Sequence, residues 1–176
     1  DPLDETTDVG PVINLSSLQM FEAECQLAKE EGGKILIGGK KINVNGLSGF
    51  FFSPTLIEAK QGMRITTEEI FGPILSLIKF NSLEEAIEIA NSTRYGLASS
   101  IFTSDINKAM EAIERLDFGI TYVNGATIGA EISTPFGSTK TGIGREAGSV
   151  AIDEFSEIQT VYIDYSNQLQ KAQIDY

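Results

Sequence analysis

The sequence predicts an α/β fold: a doubly wound, mostly parallel sheet, followed by one separate strand near the C-terminus. Three observations predict it. Between Pro73 and Val123, patterns for strand, helix, strand, helix and strand succeed one another with short links. Such an order implies right-handed parallel crossovers. The chain has 176 residues, 41% of them hydrophobic, enough for one domain with a sizeable core. A last alternating run, Thr160 to Tyr165, stands apart from this block.

The elements follow in order. Residues 1–14 read as a loop, because Asp8, Gly10, Pro11 and Asn14 break any periodicity. A helix is expected from Ser17 to Glu31, with Leu18, Phe21, Cys25 and Ala28 on one apolar face and Gly32-Gly33 as its stop. Lys34 to Ile37 is a short strand. A turn-rich stretch surrounds Asn43, Asn45 and Gly46. Phe50 to Ile57 is extended, and Pro54 assigns it to an edge. Ile74 to Phe80 is a strand. Ser82 and Glu85 form a capping box that opens a helix through Asn91, with Leu83, Ala86, Ile87 and Ala90 buried. Tyr95-Gly96 turns the chain into the strand Ala98 to Phe102. Ser104 or Asp105 caps a helix to Asp117, with Ile106, Ala109, Met110, Ile113 and Leu116 inward. Ile120 to Val123 is the next strand. Residues 124–148 are glycine-rich and fit no element of useful length, which marks a functional loop. A short helix spans Ser149 to Phe155. Thr160 to Tyr165 alternates Val161 and Ile163 against Tyr162 and Asp164, as a strand does, and the tail after Ser166 is polar.

Composition removes whole classes of function. The net charge of -12 repels phosphate backbones and anionic membrane surfaces, so neither nucleic acid nor membrane is an expected partner. No apolar run reaches the roughly 18 residues of a membrane span. The acidic start, Asp1-Pro2-Leu3-Asp4-Glu5, does not resemble a signal peptide. A soluble cytoplasmic protein is expected. With no histidine, a His-based triad is impossible, and with one cysteine a zinc site is not expected. That lone cysteine suits a reducing compartment.

Three motifs invite a chemical reading. Gly142, Gly144 and Ala147 match a dinucleotide-binding glycine spacing, but no strand precedes them, so a tight glycine loop is the expectation. Cys25 lies on the apolar side of its helix among Glu22, Glu24 and Glu30, an environment that raises a thiol pKa; it is expected to fill the core. Glu68-Glu69-Ile70-Phe71-Gly72-Pro73 has two readings. One is a charged turn before a strand. The other is a recognition site, in which a carboxylate accepts both ribose hydroxyl protons and an aromatic packs on a flat ring.

Glu69-Ile-Phe71-Gly-Pro73 resembles the Glu-x-Phe-Gly-Pro motif of the aldehyde dehydrogenases. Further blocks match in the correct order: Gly10-Pro11, Gly32-Gly33-Lys34-Ile35-Leu36, Phe51-Phe52-Ser53-Pro54-Thr55-Leu56, Ala90-Asn91 through Tyr95-Gly96-Leu97-Ala98, Phe102-Thr103, Tyr122-Val123-Asn124, and Pro135-Phe136-Gly137 with Lys140, Gly142, Gly144, Arg145 and Glu146. The resemblance covers nearly the whole chain, and ordered blocks are far more specific than any one of them. It departs from the family at Ser138, where Phe-Gly-Gly is common, and at Met20, where a cofactor-reaching lysine often stands.

The resemblance implies that residues 1–158 are the C-terminal part of an aldehyde dehydrogenase catalytic domain, and residues 159–176 an oligomerisation strand and tail. It implies NAD or NADP as cofactor, with Glu69 on the nicotinamide ribose and Phe71 near the nicotinamide. It also implies the family's chemistry: a cysteine thiolate attacks the aldehyde, hydride leaves for the nicotinamide, and a glutamate-activated water hydrolyses the thioester. The residues for those steps match positions upstream of Asp1, so no catalytic residue is expected in this chain, and a truncated chain or one half of a split enzyme is implied. Thr127-Ile-Gly129-Ala130-Glu131-Ile132 is similar to the substrate loop of α-aminoadipic semialdehyde dehydrogenases, and 2,5-dioxovalerate dehydrogenases look alike here. That similarity places Gly129, Ala130 and Phe136 at a carboxylate-bearing semialdehyde. The implied partners are a small aldehyde, the missing N-terminal half and further copies of the same chain. The competing reading is a non-catalytic oligomerisation or regulatory module derived from such an enzyme.

Overall fold

Asn14 opens the first helix, α1 (Leu15–Glu30), by accepting the Ser17 amide on its side chain at 2.8 Å. The helix therefore starts two residues before the expected Ser17. In the computed structural model, which describes residues 1–44, 46–129, 131 and 133–168, α1 is the centre of the core. Leu18, Phe21, Cys25 and Ala28 are all buried, as their spacing predicts. They pack on Phe52, Ile57, Ala59, Met63 and Ile65, with the Phe21 and Phe52 rings 5.5 Å apart and tilted.

After α1 come β1 (Lys34–Ile37), β2 (Lys41–Ile42), β3 (Phe51–Phe52), β4 (Thr55–Glu58), the single-turn helix α2 (Arg64–Thr67) and β5 (Ile74–Leu77). Then follow α3 (Leu83–Asn91), β6 (Ala98–Ile101), α4 (Ile106–Arg115), β7 (Ile120–Val123) and α5 (Val150–Glu154). The ladders form three sheets, ordered β1-β4-β5, β2-β3 and β6-β7. The β4–β5 and β6–β7 pairs are parallel, and β1–β4 and β2–β3 are antiparallel. The chain is thus α/β with parallel pairs joined through helices, the predicted class. Leu36 bulges from β1 where the register with β4 shifts. Thr55 is buried with both hydroxyl functions used: it accepts the Gly39 amide at 2.8 Å and donates to Ser53 O at 2.7 Å.

Four expectations change. Phe50 to Ile57 is not a single edge segment: it divides at Ser53-Pro54 into β3 and β4, and β4 is the middle strand of the β1-β4-β5 sheet. Ile106, Met110 and Ile113 point outward, being 70%, 49% and 44% exposed, while Ala109 and Ala112 are buried. The periodicity marks α4's apolar stripe, but only its alanine side fits closely under α3. Leu83, Ala86 and Ala90 on α3 are half-buried and only Ile87 is fully covered. Thr160 to Tyr165 forms no strand. A strand needs a ladder partner, and none of the described strands lies beside it. Two elements, β2 and α2, are additions, both too short to show a period.

Candidate functional site

The Glu68–Pro73 hexapeptide links α2 to β5. Glu68 ends α2 in an extended conformation, its amide still bonded to Arg64 O at 3.0 Å. Its carboxylate is held by Arg94 Nη2 at 2.5 Å. The same Arg94 nitrogen donates to Tyr95 Oη at 2.9 Å, and the guanidinium lies 5.1 Å from the Tyr95 ring centre. The Tyr95 hydrogen bond and the neighbouring Glu68 charge push the Arg94 pKa up. Tyr95 Oη also accepts the Glu69 amide at 3.3 Å. Glu69 and Tyr95 line a cavity of about 740 Å³.

Gly72 lets the loop pass close over the core: a Cβ there would stand 2.3 Å from the Phe21 ring and force it to shift. Phe71 itself is 83% exposed on the outer side of this crossing and does not line the cavity.

The far wall of the cavity is the glycine-rich loop. Phe136 and Glu146 exchange two backbone hydrogen bonds of 2.8 Å and close it into a narrow loop. Inside it, Arg145 Nη1 donates to Gly144 O at 2.8 Å and Ser138 O at 3.2 Å. Ser138 Oγ accepts the Lys140 amide at 3.1 Å and the Thr141 amide at 2.9 Å. Two of the loop amides that a phosphate would need are therefore occupied. Ala147, the third position of the dinucleotide spacing, has φ 59 and precedes a helix of only five residues. The glycine spacing is a closed loop here, as its lack of a preceding strand predicts.

Lys140 anchors this loop to the body. Its ammonium donates to Asn91 O at 3.0 Å and Thr93 O at 3.3 Å, at the C-terminal end of α3 where a cation is favoured. It also lies 3.6 Å from Asp117 and 5.2 Å from the Phe118 ring centre. Asn91 in turn donates to Arg115 O at 2.7 Å and accepts the Asp117 amide at 2.9 Å, tying α3 to the end of α4. A Cβ at Gly119 would meet Gly137 O at 1.5 Å, so this crossing demands glycine.

Of the residues singled out in the sequence, Glu69 and Phe136 meet at the cavity; Phe71 and Gly129 do not line it. Gly129 is exposed, with φ 86, and its carbonyl accepts Tyr122 Oη at 2.7 Å. Ala130 lies outside the described residues. Cys25 is 2% exposed, and burial, partly offset by Lys29, pushes its thiol pKa up. Arg94, Tyr95, Lys140 and Arg145 were not read as site residues in the sequence. Glu68 and Glu69, which Arg94 and Tyr95 meet, and Asn91 and Thr93, which Lys140 meets, lie far along the chain, and Arg145 bonds within an irregular loop, so no local period announces them. The only advance signal is the charge complementarity of Glu68 and Arg94. Among the described residues no group of three His, Cys, Asp or Glu could hold a metal, and no helix is long and apolar enough to cross a membrane.

The aldehyde dehydrogenase family model matches residues 1–161. Aldehyde dehydrogenase family 7 member A1 of Malus domestica is 44% identical over 176 residues, covering 98% of this chain and 34% of that protein. The alpha-ketoglutaric semialdehyde dehydrogenase of Bacillus subtilis is 36% identical over 167 residues, covering 93% of this chain and 34% of that protein. The crystal structure of betaine aldehyde dehydrogenase from Staphylococcus aureus in complex with NAD+ superimposes with a TM-score of 0.80 at 36% identity, covering 86% of this chain and 31% of that one. The chain thus spans about a third of the length of these relatives. The order of its motifs, its parallel α/β pairs and these matches agree: the chain belongs to the aldehyde dehydrogenase family.

Proposed function

We propose that this chain is the C-terminal portion of an NAD(P)-dependent aldehyde dehydrogenase that oxidises a carboxylate-bearing semialdehyde to the acid. The overall reaction takes aldehyde, NAD(P)+ and water to the acid, NAD(P)H and a proton. The observation that carries this reading is the meeting of Glu69 and Phe136 at one cavity, whose walls come from segments far apart in the sequence. A carboxylate on one side is suited to the two hydroxyls of a ribose, and an aromatic on the other to an apolar or flat group. The residues here thus fit one end of a nicotinamide cofactor, whose chemistry is to accept the hydride. Glu69 would hold the ribose and Phe71 would pack near the nicotinamide. Phe136, with Gly129 and Ala130, would hold the substrate. The semialdehyde class is supported by the Bacillus relative that its name assigns to such a substrate.

The chain supplies binding residues and no thiolate. Cys25 is sealed in the core, where burial pushes its thiol pKa up. The proposed partners are therefore an N-terminal portion carrying the nucleophile and base, and further copies for which the exposed segment Thr160 to Tyr165 supplies a strand. The acidic, single-cysteine composition fits the cytoplasm. The test is reconstitution. The purified chain is mixed with the N-terminal two-thirds of a family member and NAD(P)H formation is followed with a panel of semialdehydes. Turnover by the mixture and none by the chain alone is expected. A folded complex without turnover would leave the second reading, an oligomerisation or regulatory module, which the exposed apolar Val161, Ile163 and Tyr165 favour.

A further inference from the structure

Glu69 sits between a single-turn helix and the last strand of the β1-β4-β5 sheet, with a second carboxylate immediately before it. Neither neighbouring element is long enough to fix which of the two acids faces the cavity. The tether comes from 26 residues away, where Tyr95 Oη accepts the Glu69 amide at 3.3 Å. Arg94 completes it: one nitrogen donates to Tyr95 Oη at 2.9 Å and to Glu68 at 2.5 Å. The turn that carries both residues is itself fixed, because Lys140 donates to Thr93 O at 3.3 Å and Thr93 Oγ1 accepts the Tyr95 amide at 3.2 Å. Tyr95 is half-buried and lines the same cavity as Glu69.

We infer that Tyr95 is a positioning residue for cofactor binding: its hydroxyl sets the backbone of Glu69 so that this carboxylate faces the cavity. Arg94 withdraws Glu68 from the same space and orients the hydroxyl. Arg94 neutralises one of two adjacent acids, so a single negative charge is presented to the ribose. The inference rests on the reading of Glu69 as the ribose ligand.

The first test needs only this chain. Hydrogen exchange at the Glu69 amide should be about fivefold faster in Tyr95→Phe, the loss of one neutral hydrogen bond. The Thr121 and Val123 amides of β7 should not change. An unchanged Glu69 amide would overturn the inference outright. The second test uses the reconstituted enzyme. Tyr95→Phe should raise the cofactor KM about fivefold and leave the aldehyde KM and kcat at saturating cofactor unaltered. Arg94→Ala should act in the same direction, and Arg94→Lys, which keeps a cation for Glu68, should recover much of the loss. Glu69→Gln separates the two ideas. If it weakens cofactor binding and Tyr95→Phe does not, the positioning role fails. If Glu69→Gln has no effect, the ribose reading fails, and the role of Tyr95 toward the cofactor falls with it.

Discussion

Two glycines show how single residues hold the site in place. A methyl at Gly72 would sit 2.3 Å from the edge of the Phe21 ring, and one at Gly119 would sit 1.5 Å from Gly137 O. A ring can tilt; a carbonyl in a bonded loop cannot. Gly72→Ala should therefore destabilise by about 1–3 kcal/mol, the range for overpacking. Gly119→Ala should cost more and also displace the glycine-rich loop. Urea unfolding of both variants checks the order, and a Gly119 variant as stable as Gly72→Ala would contradict it. Cys25 gives the opposite kind of prediction. Buried at 2% exposure, its thiol should react with a disulfide reagent far more slowly than a free thiol, and urea should restore the normal rate. At this scale the sequence is legible where a residue acts through its own neighbours: Cys25 follows from helix spacing alone. It is silent where a residue acts through distant partners. Tyr95 reads as a turn residue, and nothing near it reveals that its hydroxyl meets Glu69.

Helices and strands were readable in proportion to their length. The boundaries of β1 and β7 match the pattern of side chains, and α3 begins at the capping box, with Ser82 accepting the Glu85 amide at 3.1 Å and Asn81 bonded to the Glu85 carboxylate at 2.7 Å. A single turn such as α2 has no period to detect; tertiary bonds specify it, including the Arg64 amide on Glu31 Oε2 at 3.0 Å. How α3 and α4 join was also invisible, because polar bonds between distant residues link them: besides the Asn91 bonds, Arg115 bonds both Glu84 and, one turn back, Glu111 at 2.7 Å. The Arg115 hydrogen bond holds the Glu84 carboxyl below its usual 4.5, and the arginine pKa is raised in return. A folded pKa below the unfolded one stabilises the fold above about 4.5, and that contribution is lost as pH falls through the folded value. Glu58, paired with Lys79 at 2.9 Å, has the same sign. Glu84→Gln should thus lower the melting temperature slightly at pH 7, where the pair is intact, and converge with the parent chain by pH 3, which flattens part of the fall between pH 5 and 3. An acid limb identical to that of the parent chain would remove the pair from the account. Both acids are solvent-exposed, so the expected shift is small and weakens with salt.

At the scale of the whole molecule, one body holds the core and the described tail adds nothing to it. The core gathers on α1 and the β1-β4-β5 sheet, and no residue from 159 to 168 belongs to it. Yet that segment carries Val161 and Ile163 at 66% and 67% exposure, with Tyr162 and Tyr165 more open still. Alternating β-branched and aromatic side chains that pair with none of the described strands have the chemistry of a strand that completes another sheet edge. On the proposed reading of this segment, the pattern that predicts a strand would be completed by pairing with another chain. Removing residues 159–176 should then separate two properties that usually fall together. The melting temperature of the chain at low concentration should hold within a few degrees, since the described part of the deleted segment buries nothing. Association should drop, seen in sedimentation as a shift to the monomer. If instead the shortened chain melts much earlier while remaining monomeric throughout, the segment serves the fold of its own chain. The division of the molecule at residue 158 would then have to be abandoned.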